Sequence, residues 1–182
     1  MIRPDHMPTG STRHQPTRRL AMAAHTLIAY YSLSGHTRKL ANEIRGAIGA
    51  ELEEIVEPKP RHGFSGVARA LFDAITRRTP PILPPSHDPA NYDLLVIGGP
   101  VWAGRMAAPV RAYAQSYGAR VPHVAFFCTE GGRGADSAFS DLENLCRKSP
   151  DATLVVDAAH LPVVEHAVAL SSFTSRLGAN LH

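Results

Sequence analysis

From Thr26 onward the chain alternates between two kinds of segment, and that alternation constrains its fold more than any other feature. Short runs rich in β-forming residues appear as TLIAYYS (26–32), ELEEIVE (51–57), DLLVIGG (93–99), HVAFFCT (123–129) and TLVVDA (153–158). Apolar runs of this length, bounded by turn residues, read as strands. In ELEEIVE apolar and acidic residues alternate, which predicts a strand with one wet face. Between the strands lie stretches with helical spacing. Leu40, Ile44 and Ala47 share a face of a segment from about Thr37 to Ala47, and Gly49 stops it. Ser65 is placed to cap a helix carrying Val67, Leu71, Phe72 and Ile75. The proline-rich TPPILPPSHDP (79–89) reads as loop. Pro109 opens a helix that turns Val110, Tyr113, Ala114 and Tyr117 inward and ends at Gly118. Phe139, Leu142 and Leu145 mark another helix, and a weaker helical period runs from about Val163 to Leu177.

Strand–helix pairs in such succession predict an α/β fold: a doubly wound sandwich around a five-stranded parallel sheet. A chain of 182 residues suits one such domain, here residues 26–182. The tail, residues 1–25, is dominated by Pro, Ser, Thr and Arg and shows no period, so disorder is expected. Its Arg-rich, acid-poor composition is shared by organelle transit peptides. Met7 and Met22 offer later start sites, so an over-long start is the plainer account.

The net charge of +3 comes from that tail, where Arg3, Arg13, Arg18 and Arg19 stand against Asp5 alone. The remaining residues carry 15 basic and 15 acidic side chains, which argues against a nucleic-acid binder with a basic stripe. No apolar run approaches the ~18 residues of a membrane span. Cys128 and Cys146 are too few for a disulfide framework and lie in apolar contexts, which predicts reduced, buried thiols in a cytoplasmic protein.

Parallel sheets of this kind bind ligands beyond the carboxyl ends of their strands, at the switch in strand order. The loops there carry the chemistry. The first is Ser32-Leu33-Ser34-Gly35-His36-Thr37, between a buried strand and a helix N-terminus. Unpaired N–H groups and roughly half a positive charge attract an anion there. Hydroxyls and a glycine complete a phosphate cradle without the lysine of a Walker A loop. A Ser-capped helix start is the plainer alternative. The second loop, Gly99-Pro100-Val101-Trp102-Ala103-Gly104-Arg105-Met106, holds the sole tryptophan of the chain. Such a ring lies flat against a planar ligand, or else covers the sheet edge. The third, Thr129-Glu130-Gly131-Gly132-Arg133-Gly134, offers main-chain contact to a flat ligand, or is an ordinary connection. Together they suit a flat, phosphorylated heteroaromatic such as FMN.

The pattern Ser-x-Ser-Gly-x-Thr, then GGPVWAGRMAAPV, then CTEGGRG resembles the flavodoxin-like FMN proteins, and the likeness runs from about Thr26 to Asp157. It is nearest to the short single-domain members related to flavodoxin-like quinone reductases. The resemblance implies FMN as cofactor. Ser32, Leu33, Ser34, Gly35, His36 and Thr37 would hold the phosphate. Pro100, Val101, Trp102, Ala103 and Gly104 would border the isoalloxazine, and Thr129, Glu130, Gly131 and Gly132 its other edge. The Ala103–Gly104 peptide is the natural place for the loop peptide that turns toward flavin N5 in this family. The implied activity is an FMN-dependent oxidoreductase, with NAD(P)H as donor and a quinone-like acceptor. An electron carrier, or a flavin-free partner-binding module, is the alternative. The resemblance also admits a homo-oligomer. Carrier flavodoxins are strongly acidic, whereas this body is neutral. The third loop lacks the aromatic that covers a flavin face in such carriers. His36 stands where a neutral residue is common, and a protonated imidazole there would weaken its hold on phosphate as pH rises.

Rival chemistries fit poorly. A Cys-x5-Arg phosphatase loop fails because Arg133 comes one residue early after Cys128. G-x-S-x-G is absent, and His160 and His166 lack the i, i+4 spacing of paired metal ligands on a helix. Neither a metal nor a catalytic side chain is expected.

Overall fold

A computed structural model of the chain describes residues 25–58, 79–157 and 163–180. The disorder expected of the tail up to residue 24 and the helix led by Ser65 lie outside the described residues. The elements run β1 (Thr26–Tyr30), α1 (His36–Ile48), β2 (Glu51–Glu54), β3 (Leu94–Trp102), β4 (Arg105–Met106), α2 (Ala108–Tyr117), β5 (His123–Glu130), α3 (Ala135–Cys146), β6 (Thr153–Asp157) and α4 (Val163–Asn180).

Five strands form the expected parallel sheet, in the order β2-β1-β3-β5-β6. The order reverses between β1 and β3, so the first two functional loops leave the sheet side by side at the switch point. Strand β1 is buried along its whole length. It pairs with β2 from Leu27↔Glu51 to Tyr30↔Glu54 and with β3 from Thr26↔Leu94 to Tyr30↔Gly98.

Alternation along the strands feeds two cores. One face of the sheet sends Leu95, Ile97, Phe126 and Cys128 toward α2 and α3. The other sends Ile28, Val96, Phe127 and Leu154 toward α1 and α4. Burying each large apolar side chain contributes about 1.5–3 kcal/mol. Helix α2 carries Pro in its first turn and buries Val110, Tyr113 and Ala114, as its spacing predicts. Helix α3 buries Phe139 and Leu142, with Leu145 packed beside them.

Two expectations are corrected. The acidic residues of ELEEIVE do not all face water: Glu53 and Glu57 are buried alongside Ile55. The proline-rich segment after residue 78 lies against this edge and supplies partners. Glu53 accepts hydrogen bonds from Ser86 N–H (2.9 Å) and His87 N–H (3.1 Å), and its Oε2 lies 2.7 Å from His87 Nδ1. Glu57 accepts one from the Tyr31 hydroxyl (3.1 Å). The second correction concerns residues 99–106, which are hairpin rather than open loop. Strand β3 continues through Trp102, turns at Ala103–Gly104 and pairs antiparallel with β4.

The Tyr113 hydroxyl is buried with no hydrogen-bond partner among the described residues. Burial, reinforced by the charge of Glu53, drives its pKa far above the usual phenol value. An unmatched buried hydroxyl costs about 1–3 kcal/mol. Tyr113→Phe is therefore expected to raise the urea midpoint, by about 1 kcal/mol in stability. A lower midpoint would show that the hydroxyl has a partner.

Candidate functional site

Strand β1 ends in a turn that delivers the chain to α1. Gly35 is the residue before the helix, at φ 94, a left-handed conformation in which a side chain is strained. Its N–H donates to Ser32 Oγ (3.1 Å), so Ser32 shapes the turn and does not cap the helix. No side chain caps α1, and its first turn holds no acidic residue. The first intrahelical bond runs from Lys39 N–H to the Gly35 carbonyl (3.0 Å). The N–H groups of His36, Thr37 and Arg38 precede it and point out of the helix end. Ser34 and His36 are exposed, with Ser34 Oγ 3.0 Å from His36 Nδ1. The Ser-capped helix start is thus not what the structure has; an uncapped, acid-free N-terminus is.

The third loop is tied to this one. Thr37 Oγ1 and Thr129 Oγ1 lie 2.8 Å apart, both buried. Thr129 and Glu130 end β5 as strand residues, and the loop proper begins at Gly131. Gly131, Gly132 and Arg133 are exposed. Nothing lies within 4 Å of where a Cβ on Gly35, Gly131 or Gly132 would stand.

The hairpin tip meets the third loop. A Cβ on Gly134 would stand 2.6 Å from Gly104 Cα, so those backbones touch. Ala103 and Gly104 are both left-handed, at φ 50 and φ 72. For Ala103 that conformation costs about 1 kcal/mol or more. Trp102 is half-buried, and its ring stands edge-on to Tyr31, centroids 6.2 Å apart at 89°. Tyr31 is in turn held by its bond to Glu57, so an acidic residue far along the chain braces the tryptophan.

The charges at this edge are set by their surroundings. Arg38 lies 2.5 Å from Glu54, and Tyr30 donates to the same carboxylate (3.4 Å). Burial raises the Tyr30 pKa, Arg38 opposes the rise, and the Glu54 charge adds to it. Cys128 is fully buried, and burial followed by the charge of Glu130 pushes its thiol far up. It is neither exposed nor ionised, the opposite of what the phosphatase reading needs. Glu130 is half-buried, and its Oε2 is buried without a hydrogen-bond partner among the described residues.

All three predicted segments therefore converge. Ser32 to Thr37 form the helix-end turn, Pro100 to Gly104 the hairpin, and Thr129 to Gly132 the strand end and loop. Leu33 is exposed at the rim. Sequence reasoning missed Tyr31 and Glu57, and it placed Gly134 in the third loop without its contact to the hairpin. Neither Tyr31 nor Glu57 carries a local signal, whereas Gly134 stands in a Gly-Gly-x-Gly run just before a helix. Among the described residues no helix is long and apolar enough to cross a membrane, and no His, Cys, Asp and Glu cluster suits a metal ion.

Residues 25–159 match the flavodoxin family model. A Lactobacillus acidophilus flavoprotein crystallised in complex with FMN is 29% identical, with a TM-score of 0.62 over 74% of this chain and 93% of that one. The apo-form of the flavoprotein from the same organism, solved by NMR, is 30% identical, with a TM-score of 0.58 over 75% of this chain and 95% of its own. The Streptococcus pneumoniae flavodoxin is 12% identical, with a TM-score of 0.57 over 86% of this chain and 99% of its own, a likeness of fold alone.

Proposed function

The chain belongs to the flavodoxin family, and on that premise we propose that it is an FMN-dependent oxidoreductase passing electrons from NAD(P)H to a quinone-like acceptor. FMN is the cofactor, and the residues present fit it. The uncapped, acid-free end of α1 suits a phosphate, and the open space at Gly35, Gly131 and Gly132 admits a bulky planar group. Ser32, Leu33, Ser34, Gly35, His36 and Thr37 hold the phosphate. Pro100, Val101, Trp102, Ala103 and Gly104 border the ring system, and Thr129, Glu130, Gly131 and Gly132 line its other edge. When bound, the flavin supplies the hydride and electron chemistry; the chain supplies position and electrostatics. Hydride and electron transfer at the flavin requires no side chain to act as acid or base.

The third loop carries the choice of an enzyme over a carrier. Its tip, Gly131-Gly132-Arg133, is exposed and has no aromatic side chain to cover the ring. A planar acceptor can stack on a face left open in this way. The balanced charge of the chain after the tail lacks the acidity with which carriers dock. Free, buried cysteines accord with a cytoplasmic setting.

The test is steady-state oxidation of NADH and of NADPH by the FMN-loaded protein, with and without benzoquinone. Quinone-dependent turnover is expected with at least one of the two nucleotides. Flavin that takes no electrons from either nucleotide, yet once reduced by dithionite passes them to a protein acceptor, would establish the carrier instead.

A further inference from the structure

Helix α4 has a solvent face unlike that of the other long helix beside it. The outer side of α1 carries Arg38, Lys39, Asn42 and Arg45, the usual charged surface. Helix α4 buries Phe173 and Leu177 and turns His166 inward, where Nε2 meets Glu43 Oε2 at 2.6 Å. Its opposite side consists of Val164, Val168, Ser171, Ser175, Gly178 and Ala179, without a charge over a length of about 22 Å at 1.5 Å per residue. Val164 is 73% exposed and Val168 64%, the most exposed large apolar side chains among the described residues.

The distribution along this face is graded. The two valines occupy its first half, and serine, glycine and alanine its second. Laid antiparallel on a copy of itself, the face sets knobs against gaps. A two-fold axis beside Ser171 places Val164 opposite Gly178 and Ala167 opposite Ser175 of the second copy. Parallel pairing would instead set valine on valine and leave the small residues facing each other across a gap.

The flanking charges give the same answer. Glu165 and Arg176 are three helical turns apart and so lie on one flank of the face. Both are exposed, and neither has an ion-pair partner among the described residues. The same two-fold axis brings Glu165 of each copy beside Arg176 of the other, two ion pairs closing one flank of an apolar seam. On that flank a groove of about 210 Å³ between β6 and α4, lined by Val155, Ala169, Phe173 and Arg176, continues the surface.

We propose that this face is a homodimer interface in which two α4 helices pack antiparallel, Glu165 to Arg176. An isologous contact of this kind closes on itself and needs no other partner. The inference stands apart from the flavin reading.

Sedimentation velocity on the full chain across concentrations tests it. A species of twice 19.6 kDa is expected at micromolar concentration. Val168→Asp places an unpaired carboxylate in the apolar seam and should weaken association by roughly a hundredfold. Because Val168 is exposed, far-UV circular dichroism and bound FMN should be unchanged. Glu165→Arg and Arg176→Glu should each weaken association by about tenfold, and the two together should restore it. A chain that stays monomeric up to roughly 100 μM overturns the proposal. So does a dimer that survives Val168→Asp, or a double reversal no better than the singles.

Discussion

Ser34→Asp is expected to yield protein purified without flavin. Ser34 is exposed in the turn before α1, beside N–H groups that no side chain caps. A carboxylate there repels the phosphate it would sit against: two unit charges at 4 Å cost about 4 kcal/mol at an effective dielectric near 20. Allowing for solvent and for the room an exposed side chain has to move, FMN affinity should still fall at least a hundredfold, about 2.7 kcal/mol. The same charge favours the helix, because an acid at a helix N-terminus stabilises by about 0.3–1 kcal/mol. Stability and affinity should thus move in opposite directions, which separates a lost site from a damaged fold. Riboflavin, lacking the phosphate, should lose far less affinity than FMN in the same titration. Full flavin occupancy of the variant, or equal losses for both ligands, would remove the helix end from the phosphate site.

The candidate site was readable because its parts are local. A hydroxyl-rich turn between a buried strand and a helix, and a glycine run after another strand, announce themselves within a few residues. Each segment follows the carboxyl end of a parallel strand, so the sequence alone places all three along one edge of the sheet. What it hides is contact across long separations. The Thr37–Thr129 pair spans 92 positions, and neither residue has a neighbour that points to the other. Glu53 and Glu57 read as wet because period-2 alternation describes one strand in isolation. Glu53 is matched by N–H donors from the proline-rich segment that covers the edge of β2, and Glu57 by the Tyr31 hydroxyl. Trp102 misled differently. Gly99-Pro100 reads as a strand terminator, but Pro100 lies where β4 takes up the pairing, and Ala107 N–H bonds to its carbonyl at 3.0 Å. Strand β3 therefore runs on to Trp102, and the ring is set by the hairpin and by Tyr31 rather than by a free loop.

Gly98→Ala should be the most destabilising single methyl in the sheet. Gly98 lies opposite Phe127 in the β3–β5 register, and a Cβ there would stand 2.3 Å from Phe127 Cδ1. Phe127 has no exposed surface and is packed against α1 and α4, so its ring has nowhere to swing. The strands must part or the ring must leave its rotamer. Overpacking of this kind costs about 1–3 kcal/mol, and this contact is at the upper end. Strands β3 and β5 carry two of the three segments of the candidate site, with Pro100 paired to Thr129 just beyond the clash. Forcing them apart should therefore also loosen the hairpin from the third loop and weaken FMN binding. Phe127→Leu leaves room for the methyl at the cost of a smaller core side chain. The double variant should then be less unstable than the two single losses added together, by about 1 kcal/mol or more. Urea midpoints of the four proteins measure this. Simple additivity would show that the glycine is there for some reason other than the aromatic ring beside it.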